Sequence, residues 1–170
     1  ISELGFETPT PIQEKAIPVL LSGTMDFVGL AQTGTGKTAA FGLPLIQLIN
    51  PAEKYPQALI VCPTRELCLQ ITNDLLLFKK NSKGVNTEAV YGGASITMQI
   101  RNLRMGVQIV VATPGRLIDL IERKAIDLQK VKYVVLDEAD EMLNMGFRDD
   151  IDFVLKNTVN RESIWLFSAT

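Results

Sequence analysis

The chain has 170 residues, a formal net charge of −2, and 46% hydrophobic against 21% charged residues. That composition suits one globular domain with a full core and excludes disordered, fibrous and disulfide-scaffold classes. It also lacks the broad positive charge of a protein that grips nucleic acid by charge alone, so any such contact must be local, through backbone amides and a few placed cations.

Taken in order, short apolar runs alternate with longer helical patterns. Strands are expected at 26–31, 57–62, 87–92, 107–112, 132–137 and 163–169. Most are apolar on both faces, as strands covered by helices on two sides must be. Between them, helical patterns occupy 36–50, 64–80, 96–104, 114–124 and 147–158. The fourth opens with Thr113 before Pro114, an N-cap residue followed by proline at the first helical position. Such alternation predicts right-handed βαβ units: an α/β fold with a doubly wound, mainly parallel sheet and helices on both faces. No repeat or internal linker interrupts residues 1–170, which read as a single domain.

Two cysteines, Cys62 and Cys68, are too few and too irregularly spaced for a disulfide framework or a zinc site; reduced thiols in a cytoplasmic protein are the simple reading. No apolar run reaches the roughly 18 residues of a membrane span, so no membrane contact is expected, and the chain reads as a monomer. The missing initiator Met and the stop at "LFSAT", just after a strand-like run, read as a piece excised from a larger protein.

In open α/β sheets, ligands bind beyond the carboxyl ends of the strands. Four segments place unusual chemistry there: "AQTGTGKT" (31–38), "PTREL" (63–67), "DEAD" (137–140) and "SAT" (168–170). The first follows a strand and opens a helix. Gly34 and Gly36 allow the backbone of Thr33, Gly34, Thr35 and Gly36 to turn its amides onto a phosphate chain. The helix N-terminus adds partial positive charge. Lys37 is expected to reach the β- and γ-phosphates, and the Thr38 hydroxyl to ligate Mg²⁺. The strict phosphate-loop pattern asks for glycine where this chain has Ala31.

The run "KYVVLDEADEML" (132–143) drives a buried strand into three acids. A carboxylate at the edge of a core needs a partner to stay charged cheaply. Opposite a phosphate loop, Asp137 is the expected second holder of the magnesium. Glu138 beside it can orient or deprotonate an attacking water, whereas Asp140 would point at a neighbouring loop. The plainer alternative is an acidic helix start, since Asp and Glu favour a first turn.

Together these residues resemble one family, the DEAD-box RNA helicases of superfamily 2, and the resemblance covers the whole chain. "GFETPTPIQ" (5–13) is similar to the family's adenine-recognising Q motif, and "AQTGTGKT" to its motif I, where Ala31 is usual. "PTREL" resembles motif Ia, Gly92-Gly93 the GG motif, "TPGR" (113–116) motif Ib, "DEAD" motif II and "SAT" motif III. Seven motifs in order are specific in a way that none is alone.

The resemblance implies an N-terminal RecA-like domain that uses ATP and Mg²⁺, with Lys37, Asp137 and Glu138 as the catalytic set. It implies that Gln13 reads adenine through its amide, which carries both donor and acceptor, and that Phe6 stacks on or flanks the base. It assigns Pro63, Thr64, Arg65, Gly92, Gly93, Thr113, Gly115 and Arg116 to the RNA backbone. Hydroxyls, glycine amides and arginines can serve there without reading sequence. Arg65 could instead pair with a carboxylate, and Thr113 could serve only as a cap. Ser168 and Thr170 are expected to bond to motif II, at Asp140, and so couple nucleotide state to RNA. The family supplies its arginine fingers from a C-terminal RecA-like domain of the same parent chain. This chain alone is therefore expected to bind nucleotide and be nearly inactive.

Other classes stay open at this stage. A GTPase would carry an [NT]KxD guanine motif, which does not occur here. A small-molecule kinase would share the phosphate loop without needing Glu138 beside the magnesium Asp. A non-enzymatic RNA scaffold would not need Lys37, Asp137 and Glu138 intact. A DNA helicase is the remaining relative, with the literal "DEAD" and the Q motif favouring RNA.

Overall fold

The computed structural model describes residues 2–170. Six strands form, most of them where the sequence is apolar on both faces: β1 (Phe27–Leu30), β2 (Ala58–Val61), β3 (Thr87–Val90), β4 (Ile109–Ala112), β5 (Tyr133–Asp137) and β6 (Ser163–Ser168). All pair in parallel, in the order β1-β6-β5-β2-β4-β3. Seven α-helices connect and cover them: α1 (Pro11–Leu20), α2 (Lys37–Leu48), α3 (Arg65–Phe78), α4 (Ile96–Arg104), α5 (Pro114–Glu122), α6 (Ala139–Asn144) and α7 (Arg148–Asn157). The doubly wound α/β sheet is the expected one.

Alternation along each strand divides the core in two. Ala58, Ile60, Ile109, Val111, Tyr133 and Val135 join a layer with Phe41, Ile71 and Leu75 from α2 and α3. Leu59, Val61, Val110, Ala112, Val134 and Leu136 pack on the other face with Leu117, Leu120, Met142 and Val154 from α5, α6 and α7. Burying apolar side chains on both faces is what keeps a parallel sheet together.

Two helices go beyond the expected patterns. α1 begins at Pro11 and contains Pro18; proline is at home in the first turn, and Pro11 supplies the fixed φ there. α6 is only six residues long, with Asp140 and Glu141 in its first turn. The acidic-helix-start alternative therefore describes the local structure, and it coexists with the strand-end placement of Asp137.

The strand order carries a consequence for function. β1, β6 and β5 lie side by side, so the phosphate loop, "SAT" and "DEAD" share one half of the carboxyl edge. β2, β4 and β3 follow, so "PTREL", "TPGR" and Gly92-Gly93 share the other half.

Candidate functional site

The phosphate loop turns from β1 into α2 through Gly36, whose φ of 86° is a left-handed conformation that a side chain resists. A Cβ at Gly36 would also collide with the Gln13 amide. Lys37 follows as the first residue of α2, and its side chain is buried at 7% exposure. Its ammonium lies 3.7 Å from Asp137 Oδ1, within ion-pair range but beyond a hydrogen bond. No described residue accepts a hydrogen bond from it.

Asp137 ends β5 almost fully buried. Burial pushes its carboxyl up to about 6; the neighbouring Glu138 charge pushes the same way, and Lys37 and the Glu138 backbone N–H pull it back. That N–H donates to Asp137 Oδ1 at 3.0 Å, which fixes the carboxylate's rotamer. Glu138 itself is left-handed, with φ 52° and ψ 50°. For a residue with a Cβ this costs on the order of 1 kcal/mol, a strain typical of functional positions. The bend sends the Glu138 side chain back to the phosphate loop, where the Thr33 hydroxyl approaches its Oε1 at 3.4 Å.

These groups line one cleft of about 340 Å³, together with Thr33, Gly34, Gly36 and Thr38. Its other wall is Leu4, Phe6 and the α3 residues Leu67, Gln70, Asp74, Leu77 and Phe78. Phe6 packs edge-on against Phe78, ring centroids 6.1 Å apart. Gln13 lines a smaller pocket of about 200 Å³ behind Phe6. Its Nε2 donates to the Gly36 carbonyl at 3.2 Å and its Oε1 accepts from the Thr10 N–H at 3.1 Å. Gln70 and Asp74 were not singled out in the sequence. Their spacing of four on one helix is the signal that places both on the cleft side.

The arrangement fits a magnesium-bound nucleoside triphosphate. A buried ammonium with no hydrogen-bond acceptor is costly alone and is satisfied by phosphate oxygens. Thr38 and Asp137 would hold the cation. Both are oxygen donors, and magnesium takes few protein ligands beside substrate phosphates. Among the described residues no group of three or more His, Cys, Asp or Glu forms a separate metal cage.

On the same half of the edge, Thr170 donates to Asp140 Oδ2 at 3.0 Å. Burial raises the Asp140 carboxyl, but hydrogen bonds from Ser168, Thr170 and the backbone N–H groups of Glu141 and Asp140 together outweigh it, so the group titrates below its ordinary value.

Across the edge, Thr64 caps α3 by accepting from the Leu67 N–H at 3.2 Å, which leaves its own proton to donate. Thr113 holds the N-cap position of α5 but makes no side-chain cap, so its hydroxyl is uncommitted to the helix. Pro63 is buried and shapes the turn instead of the surface. Arg65 stacks over the Tyr91 ring at 5.1 Å and, among the described residues, pairs with no carboxylate. Gly92, Gly93 and Gly115 are exposed. Arg116 is half-buried and donates through Nη1 to Ala94 O at 3.1 Å and Gln99 Oε1 at 2.9 Å.

Comparison with known proteins decides the family. The family model for DEAD/DEAH box helicases matches residues 10–170. The chain belongs to this family. It is 50% identical over all 170 residues to the ATP-dependent RNA helicase DeaD of Haemophilus influenzae, covering 28% of that protein. It is 52% identical to the DEAD-box ATP-dependent RNA helicase CshA of Streptococcus pneumoniae, covering 32% of it. The chain thus spans less than a third of these curated relatives. A crystal structure of a DEAD box protein from Methanococcus jannaschii superposes with a TM-score of 0.95 at 45% identity, over the whole of this chain and 46% of that one. The fold is the family's RecA-like α/β domain. No described helix is long and apolar enough to cross a membrane.

Proposed function

We propose that the chain is the ATP- and RNA-binding N-terminal part of a two-domain RNA helicase that couples hydrolysis of Mg-ATP to local duplex unwinding or remodelling of RNA–protein complexes. The observation that carries the reading is Lys37, a buried ammonium without a hydrogen-bond acceptor among the described residues, beside the strand-end Asp137 in the cleft of the phosphate loop. The relatives' names, each an RNA helicase, support RNA as the nucleic acid.

In this reading Lys37 and the loop amides hold the β- and γ-phosphates, and Thr38 and Asp137 hold the cation. When bound, magnesium neutralises charge developing on the phosphate oxygens. Glu138 orients the attacking water. As the water oxygen bonds to the γ-phosphorus and the bridging bond to ADP breaks, the water's proton passes to the Glu138 carboxylate. Thr64, Arg65, Gly92, Gly93, Thr113, Gly115 and Arg116 bind the sugar–phosphate backbone of RNA. Asp140, bonded to Thr170 on the nucleotide half of the edge, couples nucleotide state to RNA. The remaining charge on the γ-phosphate comes from a C-terminal RecA-like domain.

ATPase turnover of the intact protein, measured with and without single-stranded RNA and again with DNA, tests the reading. Stimulation by RNA and displacement of a short RNA duplex are expected. Turnover indifferent to RNA, or stimulated equally by DNA, would overturn it.

A further inference from the structure

α4 buries one residue fully, and it is a glutamine. Ile96, Ile100 and Leu103 lean on the core only partly buried, while Gln99 is 4% exposed. A primary amide persists at that depth when its polar atoms are satisfied. Gln99 achieves this with two segments outside its own helix. Its Nε2 donates to the Tyr91 carbonyl at 3.1 Å, and its Oε1 accepts from Arg116 Nη1 at 2.9 Å. Tyr91 immediately precedes Gly92-Gly93, and its ring carries the Arg65 guanidinium. One buried side chain therefore ties the loop after β3 to the start of α5, and indexes Arg65 against Arg116.

The state of Arg116 makes this more than packing. Both hydrogens of Nη1 are used, one on Ala94 O and one on Gln99 Oε1. Nε and Nη2 have no partner among the described residues. Those atoms form the side-on edge of the guanidinium, a two-pronged fork that matches two phosphate oxygens. An arginine held at one nitrogen loses little further freedom when the fork closes on an anion.

We propose that Gln99 is a positioning residue for RNA: it presets the Arg116 fork and, through Tyr91, the placement of Arg65, so that both meet the backbone together. The proposal rests on the RNA reading of this half of the edge, and its test separates the two. Binding of a fluorescent single-stranded RNA to the intact protein, with a non-hydrolysable ATP analogue, is followed across a salt series for wild type, Arg65→Ala, Arg116→Ala, Gln99→Met and the Arg116→Ala/Gln99→Met double variant. Gln99→Met keeps the side-chain volume and removes both hydrogen bonds.

Arg116→Ala should flatten the log–log salt slope by about 0.7, the value for one phosphate contact on a single strand. Gln99→Met should weaken RNA binding about tenfold and flatten the slope as well, although it removes no charge. A residue with only a packing role would leave the slope alone. The two changes should combine to less than the product of their separate effects, as coupled groups do. ATP affinity without RNA checks that the domain is intact. Gln99→Asn, polar but one methylene too short to span both partners, covers failure of Gln99→Met to fold and carries the same expectation. Wild-type affinity and slope in the Gln99 variants, with Arg116→Ala weakened, would overturn positioning and leave the RNA reading standing. No effect of either Arg116→Ala or Arg65→Ala would overturn both.

Discussion

The Gln13 amide is joined to the phosphate loop, with Nε2 on the Gly36 carbonyl at 3.2 Å and Oε1 on the Thr10 N–H at 3.1 Å. Each contact uses half of what the group offers. One N–H and one lone pair remain, the complement that a purine bearing an exocyclic amine beside a ring acceptor requires. The side chain that holds the loop is thus the one proposed to read the base. The Thr10 hydroxyl, beside Gly36, borders the same spot.

Adenine nucleotides should accordingly bind more tightly than guanine nucleotides, and Gln13→Ala should weaken ADP by about 1–3 kcal/mol, the cost of lost buried hydrogen bonds. Titration of ADP and GDP into wild type and variant checks both statements. Equal affinity for the two bases in the wild type would refute the assignment.

Lys37 and Glu138 should separate binding from chemistry in the intact protein. Lys37→Ala removes the buried ammonium proposed to hold the phosphates and should impair nucleotide binding and turnover together. Glu138→Gln keeps shape but not basicity, so ATP and RNA should still bind while kcat falls by about 10²–10⁴. Hydrolysis by Glu138→Gln at the wild-type rate would remove Glu138 from the mechanism.

Asp137 gives the site a pH dependence. With its carboxyl pushed up to about 6 by burial, the group is ionised above that pH and neutral below it. Magnesium requires the ionised form. Mg-ADP affinity should be flat above about pH 7 and fall about tenfold per unit below 6, while ADP titrated in excess chelator should show a shallower dependence. Stability of the ligand-free chain follows the opposite sign to that of a salt-bridged acid. The fold favours the neutral carboxyl, so its contribution is fully present below the ordinary value of 3.8 and is lost as pH rises through about 6.

Much of this was legible before any coordinates. Most of the six strands announce themselves as short runs apolar on both faces, and each is a residue or two shorter than the run that marks it. Lys37, Asp137 and Glu138 could be brought together because parallel strands deliver their carboxyl ends to one edge. α1 was not among the expected helices: Pro11 serves as its first-turn residue and Pro18 lies inside it, where proline ordinarily breaks a helix. Gln99 and Tyr91 left no comparable trace. A glutamine on a helix reads as solvated, and only tertiary partners contributed by two other segments make its burial tolerable.

The last expectation concerns residues 1–170 by themselves. Phosphoryl transfer needs positive charge around the γ-phosphate from several sides, and an arginine finger is worth roughly 10³–10⁵ in rate. Here Lys37 supplies charge from one side. Among the described residues no arginine lines the cleft of the phosphate loop. Arg65 is stacked on Tyr91 and Arg116 is held by Gln99, both on the other half of the edge. Neither can swing to the nucleotide without breaking the contacts that hold it. The chain alone should bind ADP or ATP weakly, with almost no hydrolysis, no response to RNA and no unwinding. Adding the polypeptide that carries a second RecA-like domain should restore RNA-stimulated turnover. A steady-state ATPase assay of residues 1–170, with and without single-stranded RNA, decides the matter: robust RNA-stimulated turnover by this chain alone would show that the missing charge is not needed and that the two-domain mechanism is wrong.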